Sequence, residues 1–207
     1  MSERRRLQPE IRRQQILDAA IHLFYQVGFE AASLRDLASR VGINKATIYH
    51  YFESKEEILS HIIGEVGQQL LEGVVDAARG PGDPVQVLEA MVRFQIGYLE
   101  AHLEGIKVLV EEKKSLRADL RARVRSEETE IFRRYKDVLV RCQEAGTVRR
   151  SHLATSAFAI LGQINWLYQW YKPDGTLSTG ELADEIVAIL FRGLLVSDPT
   201  SGEGAGR

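Results

Sequence analysis

The chain has 207 residues, 44% hydrophobic and 27% charged, a globular composition with enough apolar material for a sizeable core, which excludes global disorder. Its single cysteine, Cys142, excludes an intrachain disulfide framework and a cysteine-based zinc site and fits a reducing cytosol, while the absence of an apolar run near 20 residues and of an apolar N-terminal stretch speaks against a membrane span or a secretory signal. The net charge of −2 conceals an asymmetry: residues 1–52 carry 8 Lys and Arg against 5 Asp and Glu, the remainder 19 against 24, so the N-terminal end is the one suited to a polyanion.

Residues 1–9 read as a flexible basic arm containing Arg4, Arg5 and Arg6, either solvated or lying on DNA phosphates. Pro9 opens a helical pattern in which Ile16, Ala20, Leu23, Phe24 and Val27 share a face, and Gly28 closes it. Ser33 caps a short second helix, with Asp36 three residues on and Leu34, Leu37, Ala38 and Val41 on its apolar side; Gly42 breaks it. Asn44 caps a third helix, Lys45 to Phe52. Ser54 with Glu57 opens a long helix through Leu59, Ile62, Ile63, Val66, Leu70 and Val74. After the Gly80 to Pro84 break, Val87, Met91, Phe94 and Tyr98 mark another helix, and Ile106 to Glu112 a shorter one. Val124, Ile131, Tyr135, Val138 and Cys142 mark a long helix ending near Gly146, its other faces dense with charge and expected in solvent. The neighbouring carboxylates Glu56/Glu57, Glu111/Glu112 and Glu127/Glu128 read as solvated. Leu153 to Tyr171 is apolar almost all round, which requires cover on more than one side. Glu181 to Val196 carries Leu182, Ile186, Ile189, Leu190 and Leu194 on one side. The tail at 199–207 reads as disordered.

The expected fold class is all-α. Residues 10–54 form a three-helix, helix-turn-helix DNA-binding head. Residues 55–198 form a larger helical ligand-binding and dimerisation domain, whose last two helices pair with their copies in a second subunit as a four-helix interface. In a helix-turn-helix the third helix enters the major groove. Here Ile48 and Phe52 form its buried side, leaving Lys45, Ala46, Thr47, Tyr49 and His50 for the groove and its walls.

The run from Gly28-Phe29 through Ser33-Leu34-Arg35-Asp36-Leu37-Ala38, then Val41 to Phe52 and Ser54 to Leu59, resembles the N-terminal domain of TetR-family regulators over about fifty residues. The resemblance implies an all-helical homodimer that binds double-stranded operator DNA and releases it when a small ligand enters the C-terminal domain. It implies base- and phosphate-facing roles for Thr47 and Lys45, phosphate contacts for Tyr49, His50 and Lys55, and contacts at the start of the second helix for Ser33 and Arg35. The methyl groups of Ala46 and Thr47 suit a thymine methyl, and hydroxyls, lysines and a helix N-terminus suit phosphate oxygens. On this pattern Lys55→Ala weakens all DNA sites alike. Ser33 also reads as a simple cap and Tyr51 as packed inside the head.

A second stretch, Gly162 to Gly175 with Asn165, Trp166, Trp170, Tyr171, Lys172, Pro173 and Gly175, is similar to a segment of TetR-family repressors that sense acyl-CoA thioesters in fatty-acid, steroid and aromatic-acid catabolism. It reports either a shared ligand or a shared dimer scaffold. Val66, Leu70, Phe94, Tyr98, Leu109, Tyr135 and Trp166 occupy expected inward positions for an apolar effector site and equally suit ordinary core. Arg93, Arg117, Arg121, Arg149 and Arg150 are the candidate cations for CoA phosphates. An enzyme is not expected: nucleophile-elbow, phosphate-loop and metalloprotease motifs are missing, the five histidines lack metal-ligand spacing, and no catalytic residue, metal or cofactor is implied. A drug, dye or free-acid sensor and a ligand-independent DNA binder are the alternatives. The expected location is cytoplasmic, with no membrane partner.

Overall fold

The computed structural model describes residues 2–194, with side chains over 9–192; the tail expected at 199–207 lies outside them. Helix α1 runs Ser2–Val27, so the backbone is helical where a flexible arm was expected over 1–9. The helix-forming run Glu3 to Gln8 carries it through Pro9 despite the hydrogen bond that proline cannot donate. Then follow α2 Leu34–Val41, α3 Lys45–Tyr49, α4 Lys55–Ala78, α5 Pro84–Ala101, α6 Leu103–Glu112, a 3-10 turn Lys113–Ser115, α7 Ala118–Glu144, α8 Leu153–Asn165, α9 Leu167–Trp170 and α10 Thr179–Leu194. Among the described residues there is no β-strand and no helix long and apolar enough to cross a membrane.

The chain divides into two compact units, the first reaching to Gln69 and including His102–Glu127, the second comprising Leu70–Ala101 and the chain from Glu128 on. Their boundaries fall inside α4, between α5 and α6, and inside α7. In the first unit, Ile16, Leu17, Ala20, Leu23 and Phe24 of α1 are buried with Leu37, Ala38, Ile48, Phe52, Ile58 and Leu59. Helix α6 packs on α1. Glu112 accepts the Phe29 N–H at 3.1 Å, Glu104 lies 3.0 Å from His22 Nδ1, and the Lys107 ammonium stands 5.0 Å over the Tyr25 ring.

In the second unit, Asp83 caps α5 by accepting from the N–H groups of Val85 (2.8 Å) and Gln86 (3.2 Å), with Pro84 in the first helical position, where no donor is needed. Val87, Leu88, Met91, Val92 and Ile96 of α5 are buried, and α10 packs on this helix. Arg93 bonds Glu89 at 2.7 Å and Asp184 of α10 at 2.6 Å; these two carboxylates raise the guanidinium's pKa further. Helix α10 starts two residues before the expected Glu181, because Ser178 and Glu181 form a reciprocal capping box. The Glu181 carboxylate takes the Ser178 N–H at 2.8 Å, and the Ser178 hydroxyl takes the Glu181 N–H at 3.3 Å. The Ser178 bonds hold the Glu181 carboxyl below its ordinary pKa. Leu182, Ile186 and Leu190 of α10 are buried as expected, joined by Ala183, Val187 and Phe191, but Ile189 is exposed.

One polar chain crosses this apolar core. The Tyr135 hydroxyl on α7 donates to Gln95 Oε1 on α5 at 3.0 Å, and Gln95 Nε2 donates to Asn165 Oδ1 at the end of α8 at 3.0 Å. Full burial of Tyr135 raises its pKa far above the ordinary phenol value, so it acts as a donor. Tyr135→Phe leaves Gln95 Oε1 buried without that donor and is expected to cost about 1–3 kcal/mol of stability; urea unfolding of the two proteins measures it, and a difference near zero would show that the bond adds nothing.

Candidate nucleic-acid interface and effector-side residues

The head is assembled from caps. Ser33 Oγ accepts the Asp36 N–H at 3.2 Å and donates to the Asp36 carboxylate at 2.6 Å, so Ser33 is a cap as well as an exposed residue at the start of α2. Gly42 closes α2 in the left-handed conformation, φ 72°, which favours glycine. The Ile43 N–H then returns to Ala38 O at 3.0 Å, completing the turn. Asn44 Oδ1 accepts from the Thr47 N–H at 2.8 Å and from the Thr47 hydroxyl at 2.9 Å. The Thr47 hydroxyl proton is therefore committed to the cap. Ile48 and Phe52 are buried, and Arg35, Lys45, Ala46, Tyr49 and His50 are exposed with Thr47 half-buried. The Phe52 ring packs beside Arg13, 5.0 Å from its centroid, and His61, 5.6 Å away edge-on, and Arg13 Nη2 itself lies 2.9 Å from His61 Nε2. Tyr51 is half-buried.

Lys55 is placed differently from a free phosphate ligand. Its ammonium donates to Phe29 O at 2.6 Å, Ala32 O at 3.0 Å and Glu30 O at 3.4 Å and stands 4.2 Å from the Phe29 ring centroid. It closes the turn between α1 and α2, and its donors are engaged there. A hydrogen-bonded chain also crosses the first unit. Arg40 of α2 donates to Gln26 Oε1 at 2.7 Å, Gln26 Nε2 meets His22 Nε2 at 2.8 Å, and His22 Nδ1 meets Glu104 of α6. A carboxylate only accepts and an amide nitrogen only donates, so an imidazole with its proton on Nδ1 satisfies every member.

The expected effector residues separate between the units. Val66 and Leu109, in the first, are buried. In the second, Phe94 lies across Gly73, where a Cβ would come within 1.8 Å of the ring, and is 5.9 Å from the Tyr98 ring. Tyr98 is buried and Leu70 half-buried. Tyr135 belongs to the polar chain above. Trp166 does not face inward: α8 ends at Asn165 and the chain restarts at Leu167, so the indole at the break is 61% exposed. Of the candidate phosphate-binding arginines, Arg93 is engaged by Glu89 and Asp184, Arg117 by Asp119 at 3.1 Å and Arg121 weakly by Lys114 O at 3.4 Å; Arg149 and Arg150 are exposed.

Glu127 corrects the expectation of a solvated pair. Glu128 is exposed, but Glu127 is only 9% exposed, because α7 turns it towards α4. Its Oε1 accepts from Arg123 Nε at 2.8 Å, and Arg123 also donates to Gln68 of α4 at 2.8 Å. Glu127 Oε2 is buried without a hydrogen-bond donor. The i, i+4 spacing of Arg123 and Glu127 was readable as a helix-face ion pair; the burial was not. No group of three or more His, Cys, Asp and Glu residues suited to a metal ion occurs among the described residues.

Residues 16–62 match the family model of bacterial regulatory proteins of the tetR family, and residues 81–194 match the tetracyclin repressor-like C-terminal domain. The chain is 29% identical over 185 residues to the HTH-type transcriptional repressor KstR2 of Rhodococcus jostii, covering 88% of this chain and 91% of that one. It is also similar to the TetR-family regulator PfmR of Thermus thermophilus, with TM-score 0.81 and 30% identity over 86% of this chain and 97% of that one. AibR, solved in complex with isovaleryl coenzyme A and operator DNA, gives TM-score 0.78 and 26% identity over 87% of this chain and 98% of that one.

The placement of Lys55 generates a stability prediction. Lys55→Met removes the donors of the turn carbonyls and is expected to destabilise the protein by about 1–2 kcal/mol, a few degrees in Tm. An unchanged Tm together with weakened DNA binding would return Lys55 to a pure phosphate role.

Proposed function

The chain belongs to the tetR family of bacterial regulatory proteins, and from that premise we propose that it is a repressor that binds a palindromic operator as a homodimer and releases it when an acyl-CoA thioester binds outside the head. The family and the relatives are transcriptional regulators, not enzymes. The observation that carries the DNA reading is the outward row on α3, Lys45, Ala46, Thr47, Tyr49 and His50, opposite the buried Ile48. Thr47 and Ala46 read bases through their methyl groups. Lys45, Tyr49, His50, Arg35 and the exposed Ser33 meet phosphates. Lys55 supports the same face by fixing the turn that leads into α2. The repressor works in the cytoplasm, beside its DNA.

The homodimer reading is supported by large apolar side chains left exposed on the last three helices and their loop: Phe158, Trp166, Trp170, Leu177 and Ile189. A second copy would cover them and give two heads for two half-sites. The thioester reading is supported by the complex of AibR with isovaleryl coenzyme A and operator DNA and by the buried apolar side chains of Val66 and Leu109 in the first unit. Release would follow if the effector favours one placement of α6, since α6 is tied to α1 through Glu104, Lys107 and Glu112. Such coupling is typically worth about 1–3 kcal/mol.

Two outcomes test this. Selected operator DNA should be bound with steep salt dependence. Thr47→Ala should lose discrimination between operator variants by about 1–3 kcal/mol per contacted base, whereas His50→Ala should weaken all sequences alike and reduce the salt slope; unchanged binding by both variants would misplace the DNA face. In a thermal-shift panel of acyl-CoA thioesters, free fatty acids and cationic dyes, thioesters alone should raise Tm with concentration. A response to a dye or free acid without one to thioesters would refute the thioester effector.

A further inference from the structure

In the first unit, three helices meet around one uncommitted atom. Glu127 Oε2 on α7 faces Gly67 of α4, where a Cβ would stand 2.6 Å from this oxygen and 3.7 Å from Leu109 Cδ1 of α6. Gly105 of α6 faces Val66 of α4, whose Cγ2 lies 3.0 Å from where a Cβ would be. Val66, Leu109 and Val124 around the carboxylate are buried and apolar. A carboxylate oxygen removed from water demands a donor, and within the protein Oε2 has none. Glycine at 67 makes room for that oxygen; any side chain there would overlap it.

We propose that Glu127 is an effector-reading residue: its Oε2 accepts a hydrogen bond from a neutral donor, a hydroxyl or an amide N–H, on an otherwise apolar ligand bordered by Val66, Leu109 and Val124. This rests on the reading of the chain as an effector-controlled regulator. The choice of a neutral donor follows from charge. Arg123 already balances the carboxylate through Oε1, so a neutral donor completes the site without added charge. An ammonium or quaternary cation would leave excess positive charge in an apolar surround, at a desolvation cost that the shared carboxylate does not repay. Acyl-CoA thioesters carry such donors in the two amides of their pantetheine arm, and hydroxylated acyl chains carry one on the chain itself.

The test uses the full-length protein and two probes with the same decyl chain, 1-decanol, whose oxygen carries a proton, and its methyl ether, whose oxygen carries a methyl group instead, with decanoyl-CoA as a separate arm. Calorimetric titration should show the wild type binding decanol about tenfold or more tightly than the ether, and Glu127→Gln, which presents an amide in place of the carboxylate, should bring the two within about twofold. Where circular dichroism shows that the glutamine variant fails to fold, Glu127→Asp, which withdraws the oxygen by one methylene, provides the same comparison. Decanoyl-CoA binding weakened by the same variant places the donor on the pantetheine arm; decanoyl-CoA binding unchanged by a variant that has lost the decanol discrimination places the donor on a hydroxylated acyl chain, which decanoyl-CoA lacks. Equal affinity for decanol and ether in the wild type, binding of neither, or discrimination that survives the substitution overturns the proposal. Failure of decanoyl-CoA to bind, with decanol discrimination intact, sinks the thioester reading and leaves the Glu127 site standing.

Discussion

A helix of five residues has no stability of its own, and everything the head does depends on how α3 is held. Asn44 supplies its first bonds, Gly42 sets the angle of its entry, and Ile48 with Phe52 presses it into the core. Each constraint fixes a different degree of freedom: the cap fixes where the helix begins, the glycine turn its direction, the buried pair its rotation. With rotation fixed, Lys45, Ala46, Thr47, Tyr49 and His50 face outward together. The Thr47 hydroxyl, bound to the capping Asn44, lies in the same short network that starts the helix, so the residue we propose as a base contact is also part of what holds α3 in place.

The first unit extends this control beyond the three helices of the head. Lys55 gathers three carbonyls of the turn between α1 and α2, and the Arg40–Gln26–His22–Glu104 chain ties α2 and α1 to α6. These contacts are half-exposed and modest singly. Their value is in connectivity: α6 cannot shift far without disturbing His22, Tyr25 and Phe29 on or beside α1. The buried Glu127 pair sits on the same α4, α6 and α7 set, where glycines bring the helices close and a missing donor leaves one polar atom unsatisfied. A region with close backbones and an unmet hydrogen-bond demand responds to a ligand that meets it, because the ligand adds an interaction the unliganded protein lacks.

The head was legible because its signals are local. Gly28, Ser33, Gly42, Asn44 and Ser54 each act within four residues, so spacing alone placed α2 and the starts of α3 and α4, while α3 ends at Tyr49, short of the expected Phe52. The role of Lys55 was not legible, since an exposed-looking lysine at a helix start gives no sign of three carbonyls more than twenty residues earlier. Periodicity found the buried face of α7 through Val124, Ile131, Tyr135 and Val138 but misjudged Glu127: a glutamate beside a glutamate reads as solvent-facing, and only the bare Gly67 on another helix makes room for its carboxylate. The long apolar run from Leu153 to Tyr171 concealed the break at Trp166 because its apolar pattern continues across it and no proline interrupts it. The helix ends there with Asn165 drawn into a bond with Gln95.

That bond shapes the surface as well as the core. Consecutive residues on a helix point about 100° apart, so anchoring Asn165 to the Gln95–Tyr135 pair sets the rotation of the end of α8 and sends its neighbour Trp166 outward. The same turn of chain thus satisfies a buried polar group on one side and exposes a large aromatic on the other. Buried polar chains of this kind add little net stability compared with apolar packing, but they restrict the end of α8 to one orientation. Apolar contacts alone would tolerate a rotated Trp166; a glutamine held between a phenol and an amide does not, because rotation of Asn165 away from the buried Gln95 removes that hydrogen bond.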